Sequence, residues 1–134
     1  MPIYTIQQAA QATGASIATL RYYEQEGLID EVERLPNGHR RYTEHHIAWI
    51  EFLICMRDSG MSIQDLKQYV RLSQRKGTGP ERCALLESHR EAVKAQIATL
   101  EDRLERIEAK ITWYHEALGH QSEQQFIEAI MEEK

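Results

Sequence analysis

Between residues 86 and 118, apolar side chains return at alternating steps of four and three. The positions are Leu86, Arg90, Val93, Ile97, Leu100, Leu104, Ile107, Ile111, Tyr114 and Leu118. Nine of these ten are apolar, and the residues between them are mostly charged or polar. A 3.5-residue period held this long marks a coiled-coil seam. A helix over residues 80–118 would span roughly 58 Å at 1.5 Å per residue, and a chain of 134 residues has too little else to cover such a stripe. An amphipathic helix lying on its own domain is the alternative, but the length favours a partner helix and hence a homodimer. Arg90 breaks the seam near its start, either as an imperfection or to meet an acid from the partner.

The other dense signal is GASIATLRYYEQEGLI (residues 14–29), followed at once by RLPNGHRRYT (residues 34–43). Gly14 can close a small helix, and Ser16 can cap the next by accepting from free backbone N–H groups. Leu20 then points to a core, with Thr19, Arg21, Tyr22 and Tyr23 spread around the rest of that helix. Arg offers a forked cation and Tyr a hydroxyl donor, the chemistry a phosphate-docking surface needs. The PNG segment holds Asn37 and Gly38 in the order of a tight hairpin, flanked by Arg34, His39, Arg40, Arg41 and Tyr42. Together these read as a helix-turn-helix with a basic β wing.

The net charge of −5 is informative only once the chain is divided. Residues 1–76 hold nine Lys/Arg and nine Asp/Glu, while residues 77–134 hold seven against twelve and carry the whole deficit. Three cations and no acid lie in residues 34–41; five acids and no cation lie in residues 24–33. Phosphate contact depends on local charge more than on the total. The acidic stretch is therefore expected to face away from DNA, and non-specific binding to be weaker than that of a basic protein.

Thr5 and Gln8 form a capping-box pattern opening a first helix to about Ala12, and the second runs roughly over residues 16–25. The wing covers about residues 28–42. Thr43 can cap a third helix through about Ser59, ended by Gly60. Ser62 and Asp65 make another capping box, for a fourth helix through about Leu72. GTGP (residues 77–80) breaks the chain before the final helix, with Pro80 suited to a first turn. His45 and His46, at a helix start, read as surface residues. The organisation expected is residues 1–76 as a DNA-docking domain with two supporting helices, 77–119 as the dimerisation helix and 120–134 as a C-terminal tail. No apolar run reaches membrane-spanning length and no leader is evident, which points to the cytoplasm. The two cysteines, Cys55 and Cys83, make no disulfide framework.

The marks LRYYEQEGLI (residues 20–29), NGHRRYT (residues 37–43) and RDSGMSIQDL (residues 57–66), in this order and followed by a long helix, resemble the MerR family of transcription regulators. The resemblance spans nearly the whole chain. It implies a mainly α fold: a winged helix-turn-helix DNA-binding domain followed by a long helix that dimerises as an antiparallel coiled coil. It also implies binding to an overlong promoter spacer, whose distortion lets RNA polymerase engage both promoter elements. Candidate DNA contacts are then Ser16, Thr19, Arg21, Tyr22, Tyr23, Asn37, Gly38, His39, Arg40, Arg41 and Tyr42. Of the adjacent tyrosines, one usually turns inward. Lys67 and Arg71 offer a second backbone contact or a solvated face.

For sensing, Cys55 has two readings. Free cysteine in an apolar helix is often a buried, inert hydrophobe, whereas an available thiolate attacks aldehydes and other electrophiles. Residues 47–63 resemble the aldehyde-responsive, AdhR-like branch, which implies a sensing thiol and a stress-response role. The alternative is a metal- or small-molecule-responsive regulator with Cys55 structural. His115 and His120 near one end of the last helix and Cys83 at the other form no soft-metal set in one chain. No cofactor is called for. A thiol enzyme lacks a His or acid at catalytic spacing from Cys55, and a coiled-coil adaptor leaves the cationic wing unexplained.

Overall fold

The computed structural model describes residues 2–29, 32–119, 127, 128 and 130–132. The chain forms two compact units, residues 1–90 and 91–134. In the first, helix α1 (Ile6–Thr13) opens on a full capping box: Thr5 Oγ1 accepts from the Gln8 N–H at 3.1 Å, and Gln8 Oε1 accepts from the Thr5 N–H at 2.9 Å. Gly14 closes it in the left-handed region, at φ 78°, donating to the Ala10 carbonyl. That reversal leads directly into α2 (Ile17–Gln25), capped by Ser16.

Strands β1 (Glu33–Arg34) and β2 (Arg40–Arg41) pair antiparallel, Glu33 opposite Arg41 and Arg34 opposite Arg40. Tyr4 bridges to Tyr42 through both backbone bonds, so the wing is stitched to the segment before α1. The hairpin is not closed on a two-residue Asn-Gly turn, which needs a positive φ at both residues. Among the described residues no non-glycine has one. Gly38 donates to the Leu35 carbonyl at 2.8 Å, so Pro36 and Asn37 occupy the corners of the turn. Gly38 then takes φ 85° as a bulge, and the Leu35 N–H reaches His39. Proline's fixed φ suits the first corner, which outweighs the Asn-Gly preference.

Helix α3 (Glu44–Asp58) carries Ile50, Leu53 and Ile54 into a core with Ala9, Leu20, Leu28, Tyr42 and Leu66. Trp49 Nε1 donates to the Leu28 carbonyl at 2.7 Å, tying α3 to the exit of α2. The start of α3 corrects the expectation of a surface His46. Its Nδ1 accepts the Thr43 N–H at 3.0 Å while Thr43 Oγ1 takes the His46 N–H, and His46 is buried. Imidazole here fills the role Glu or Gln usually plays in a capping box. Helix α4 (Ile63–Ser73) follows with Ser62 accepting the Asp65 N–H. Buried Thr78 bonds the Leu72 and Arg75 carbonyls just before α5 (Gly79–Leu118).

Along α5 most of the period-3.5 stripe stays in solvent. Ile97, Leu100, Leu104, Ile107, Ile111 and Leu118 are 47–66% exposed, while Leu86, Val93 and Tyr114 are half-buried. No helix among the described residues is long and apolar enough to cross a membrane.

Candidate nucleic-acid interface

Helix α2 presents its polar side through its capping geometry. Ser16 Oγ accepts the Thr19 N–H at 3.0 Å and donates to Thr19 Oγ1 at 2.8 Å, so both side chains are held at the helix start. Arg21 is exposed and lines a cleft with Thr5, Gln7, Gly38, His39 and Arg40. The helix and the wing thus bring Arg21, His39 and Arg40, far apart in sequence, to one depression.

The tyrosines divide. Tyr22 is 45% exposed, whereas Tyr23 is 2% exposed, its ring centroid 6.2 Å from that of Tyr22. Burial pushes the Tyr23 hydroxyl above its usual range, with the Arg57 guanidinium pulling the other way. Tyr42 is also fully buried, its hydroxyl 3.5 Å from the Glu24 carboxylate. Burial first, and then the Glu24 charge, push it up to about 12. Neither Tyr23 nor Tyr42 offers a side-chain surface to DNA, which corrects the contact expected of each. Both rings are large apolar bodies on faces that the small core needs filled.

The wing arginines each have an acceptor within the chain. Arg34 and Arg40 face each other across the ladder, a repulsive arrangement. Each turns to its own acceptor: Arg34 to the Gly38 carbonyl at 3.2 Å, Arg40 to the Glu24 carboxylate. Arg41 reaches Glu33 at 3.7 Å and Lys67 reaches Glu26 at 3.4 Å. The acidic stretch therefore does not turn away from the wing; Glu24 and Glu33 hold Arg40 and Arg41, and Glu26 holds Lys67 of α4. A helix exit and an adjoining strand place them there, a proximity invisible in linear charge counts. Asp30 and Glu31 lie outside the described residues. Asn37 and Gly38 serve the turn itself, Asn37 Oδ1 accepting the His39 N–H at 3.0 Å.

Arg57 is the residue sequence reasoning missed on this side. Its guanidinium chelates Asp58 and lines a cleft with Thr19, Tyr22 and Tyr23. The hydrogen bonds it donates to Asp58 hold it protonated even more firmly than an ordinary arginine. Only the approach of Arg57 to Tyr23 in three dimensions reveals it.

Cys55 is exposed on α3, so burial gives no ground for calling it inert. Ser59 Oγ donates to the Cys55 carbonyl at 2.8 Å and meets His89 Nε2 of α5 at 2.7 Å. Cys83 is exposed as well, but bonds Glu87 at 3.0 Å, and that carboxylate pushes its thiol up. Among the described residues no group of three potential metal ligands converges; His120 lies outside them.

The family model for MerR HTH family regulatory proteins matches residues 4–73, and the model for the MerR DNA-binding segment matches residues 47–110. The chain belongs to the MerR family. It is a DNA-binding transcriptional regulator, and the enzyme reading falls away. An uncharacterized HTH-type transcriptional regulator of Haemophilus influenzae is 37% identical over 115 residues, 85% of each chain. AdhR of Bacillus subtilis is 51% identical over 67 residues, 50% of this chain and 48% of that one. The crystal structure of HiNmlR, a MerR family regulator lacking the sensor domain and bound to promoter DNA, superposes with a TM-score of 0.81. It is 37% identical, covering 88% of this chain and 92% of that one. The mainly helical MerR fold, winged helix-turn-helix then long helix, is thus shared.

Proposed function

We propose that this MerR regulator acts as a homodimer on a promoter spacer, and that a reactive aldehyde signals to it through Cys55. The observation that carries the DNA reading is the cleft where Arg21 of α2 meets His39 and Arg40 of the wing. A helix with exposed Arg21 and Tyr22 enters a major groove while a cationic hairpin grips the neighbouring backbone, with Thr19 poised toward base edges. HiNmlR bound to promoter DNA supports this use of the fold. The proposed division of labour has residues 1–76 docking and residues 77–119 dimerising.

Dimerisation is supported by the exposed stripe from Ile97 to Leu118. A second copy, antiparallel across a two-fold axis, would bury it and set two α2 helices on two half-sites. Distorting the spacer between them is work a rigid dimer suits, and RNA polymerase would respond to the reshaped DNA rather than to a protein contact.

The aldehyde reading rests on the exposure of Cys55 and on the AdhR match. Its thiolate would add to the carbonyl carbon, forming an S–C bond while the carbonyl oxygen takes a proton. Ser59 and His89 join that turn of α3 to the early turns of α5, a route by which the adduct would alter how α3 meets α5. The test measures binding to the upstream promoter region and transcription, with and without a small aldehyde. Wild type should switch, and Cys55→Ser should bind DNA but stay unresponsive, with Cys55 modified faster than Cys83. Normal induction of Cys55→Ser would return Cys55 to a structural role.

A further inference from the structure

Three carboxylates at the end of α2 and in the segment after it hold three candidate docking cations: Glu24 with Arg40, Glu33 with Arg41, Glu26 with Lys67. The first pair is part of the fold. Both its side chains are 20% exposed and Glu24 also lies under the buried Tyr42 hydroxyl. The other two are different. Glu33 and Arg41 are 78% and 40% exposed, Glu26 and Lys67 36% and 32%, and each pair is longer than a tight charged hydrogen bond. Such pairs contribute little to stability, so the fold does not need them.

We propose that Glu26 and Glu33 compete with DNA phosphate for Lys67 and Arg41, so that docking is an exchange of partners rather than the filling of open cations. The inference rests on the DNA-docking reading above. In the free protein each carboxylate screens its cation from polyanions. On DNA, Lys67 and Arg41 must leave the carboxylate, and the separation subtracts from every phosphate contact they make. Because phosphate contacts carry no sequence information, the subtraction is equal for operator and random DNA. It tunes how long the protein stays on DNA of any sequence and leaves discrimination to α2. The face is thereby held less sticky than its cation count suggests.

The experiment measures equilibrium binding of the full chain to its upstream promoter duplex and to a random duplex, at one fixed salt concentration. Glu26→Gln and Glu33→Gln should each bind both duplexes about two- to fivefold more tightly, the range that a surface ion pair corresponds to. The ratio between the duplexes should not change. Glu51→Gln, an exposed acid on α3 with no part in these pairs, is the control for lost negative charge. In a Lys67→Met background the gain from Glu26→Gln should vanish, and in Arg41→Met the gain from Glu33→Gln likewise. A gain no larger than that of Glu51→Gln, or one that persists without the cation, overturns the proposal by reducing it to a long-range field. Absence of binding by wild type to either duplex overturns instead the docking reading beneath it, and the two failures look different.

Discussion

Tyr22 and Tyr23 stand side by side on one helix turn with the same chemistry, yet a 100° step leaves one ring in solvent and puts the other in the core. Accessibility assigns their roles. Tyr22→Ala and Arg41→Ala should each weaken promoter binding by about 1–3 kcal/mol with no loss of melting temperature; a gel shift beside a thermal melt separates the two effects. Tyr42 belongs to the fold instead. Its hydroxyl, raised to about 12, stays protonated in the native state after unfolded tyrosine has ionised near its ordinary value. The unfolded chain therefore binds fewer protons above that ordinary value, and stability falls with rising pH. The contribution is complete below about pH 10, and about 1–3 kcal/mol should disappear between there and about 12. Urea melts across that window check it, with Tyr42→Phe giving a flatter curve.

Among the elements, the junctions carry more specification than the helix interiors. Gly14 and Ser16 turn α1 into α2 within three residues, and Thr43 with His46 starts α3 where the wing returns from its ladder. Removing Thr43 Oγ1 strips the His46 N–H of its acceptor, and His46 is buried. Thr43→Ala should cost about 1–2 kcal/mol and lower the melting temperature, while Thr43→Ser should recover most of it. These caps were legible because each uses a fixed offset of three residues. The partner at the third position was not, since histidine is an unusual choice and its tautomer-dependent acceptor shows only in three dimensions. The wing turn was legible as a turn but not in type, because Pro36 and Gly38 compete locally and the chosen register decides.

For the whole molecule, α5 sets the expected assembly. Replacing Leu100 and Leu104 together with Glu should dissociate the proposed dimer, because unpaired charge in a seam that a second copy would bury costs several times what a surface site does. Sedimentation at micromolar concentration should show dimer for wild type and monomer for the variant, with promoter binding lost in parallel. By itself, the sequence determined what depends on local offsets. The caps, the helix-turn-helix, the wing, the period-3.5 stripe and the family follow from residues a few positions apart, whose spacing backbone geometry converts directly into structure. Tertiary structure alone decided what depends on which surfaces meet: that Tyr23 and Tyr42 face inward, that Cys55 faces outward, that Arg57 joins the α2 cleft, and that Glu24, Glu26 and Glu33 hold Arg40, Lys67 and Arg41. Those outcomes turn on contacts between segments up to 41 residues apart, as in Glu26 and Lys67, and no linear pattern encodes a distance that only packing creates.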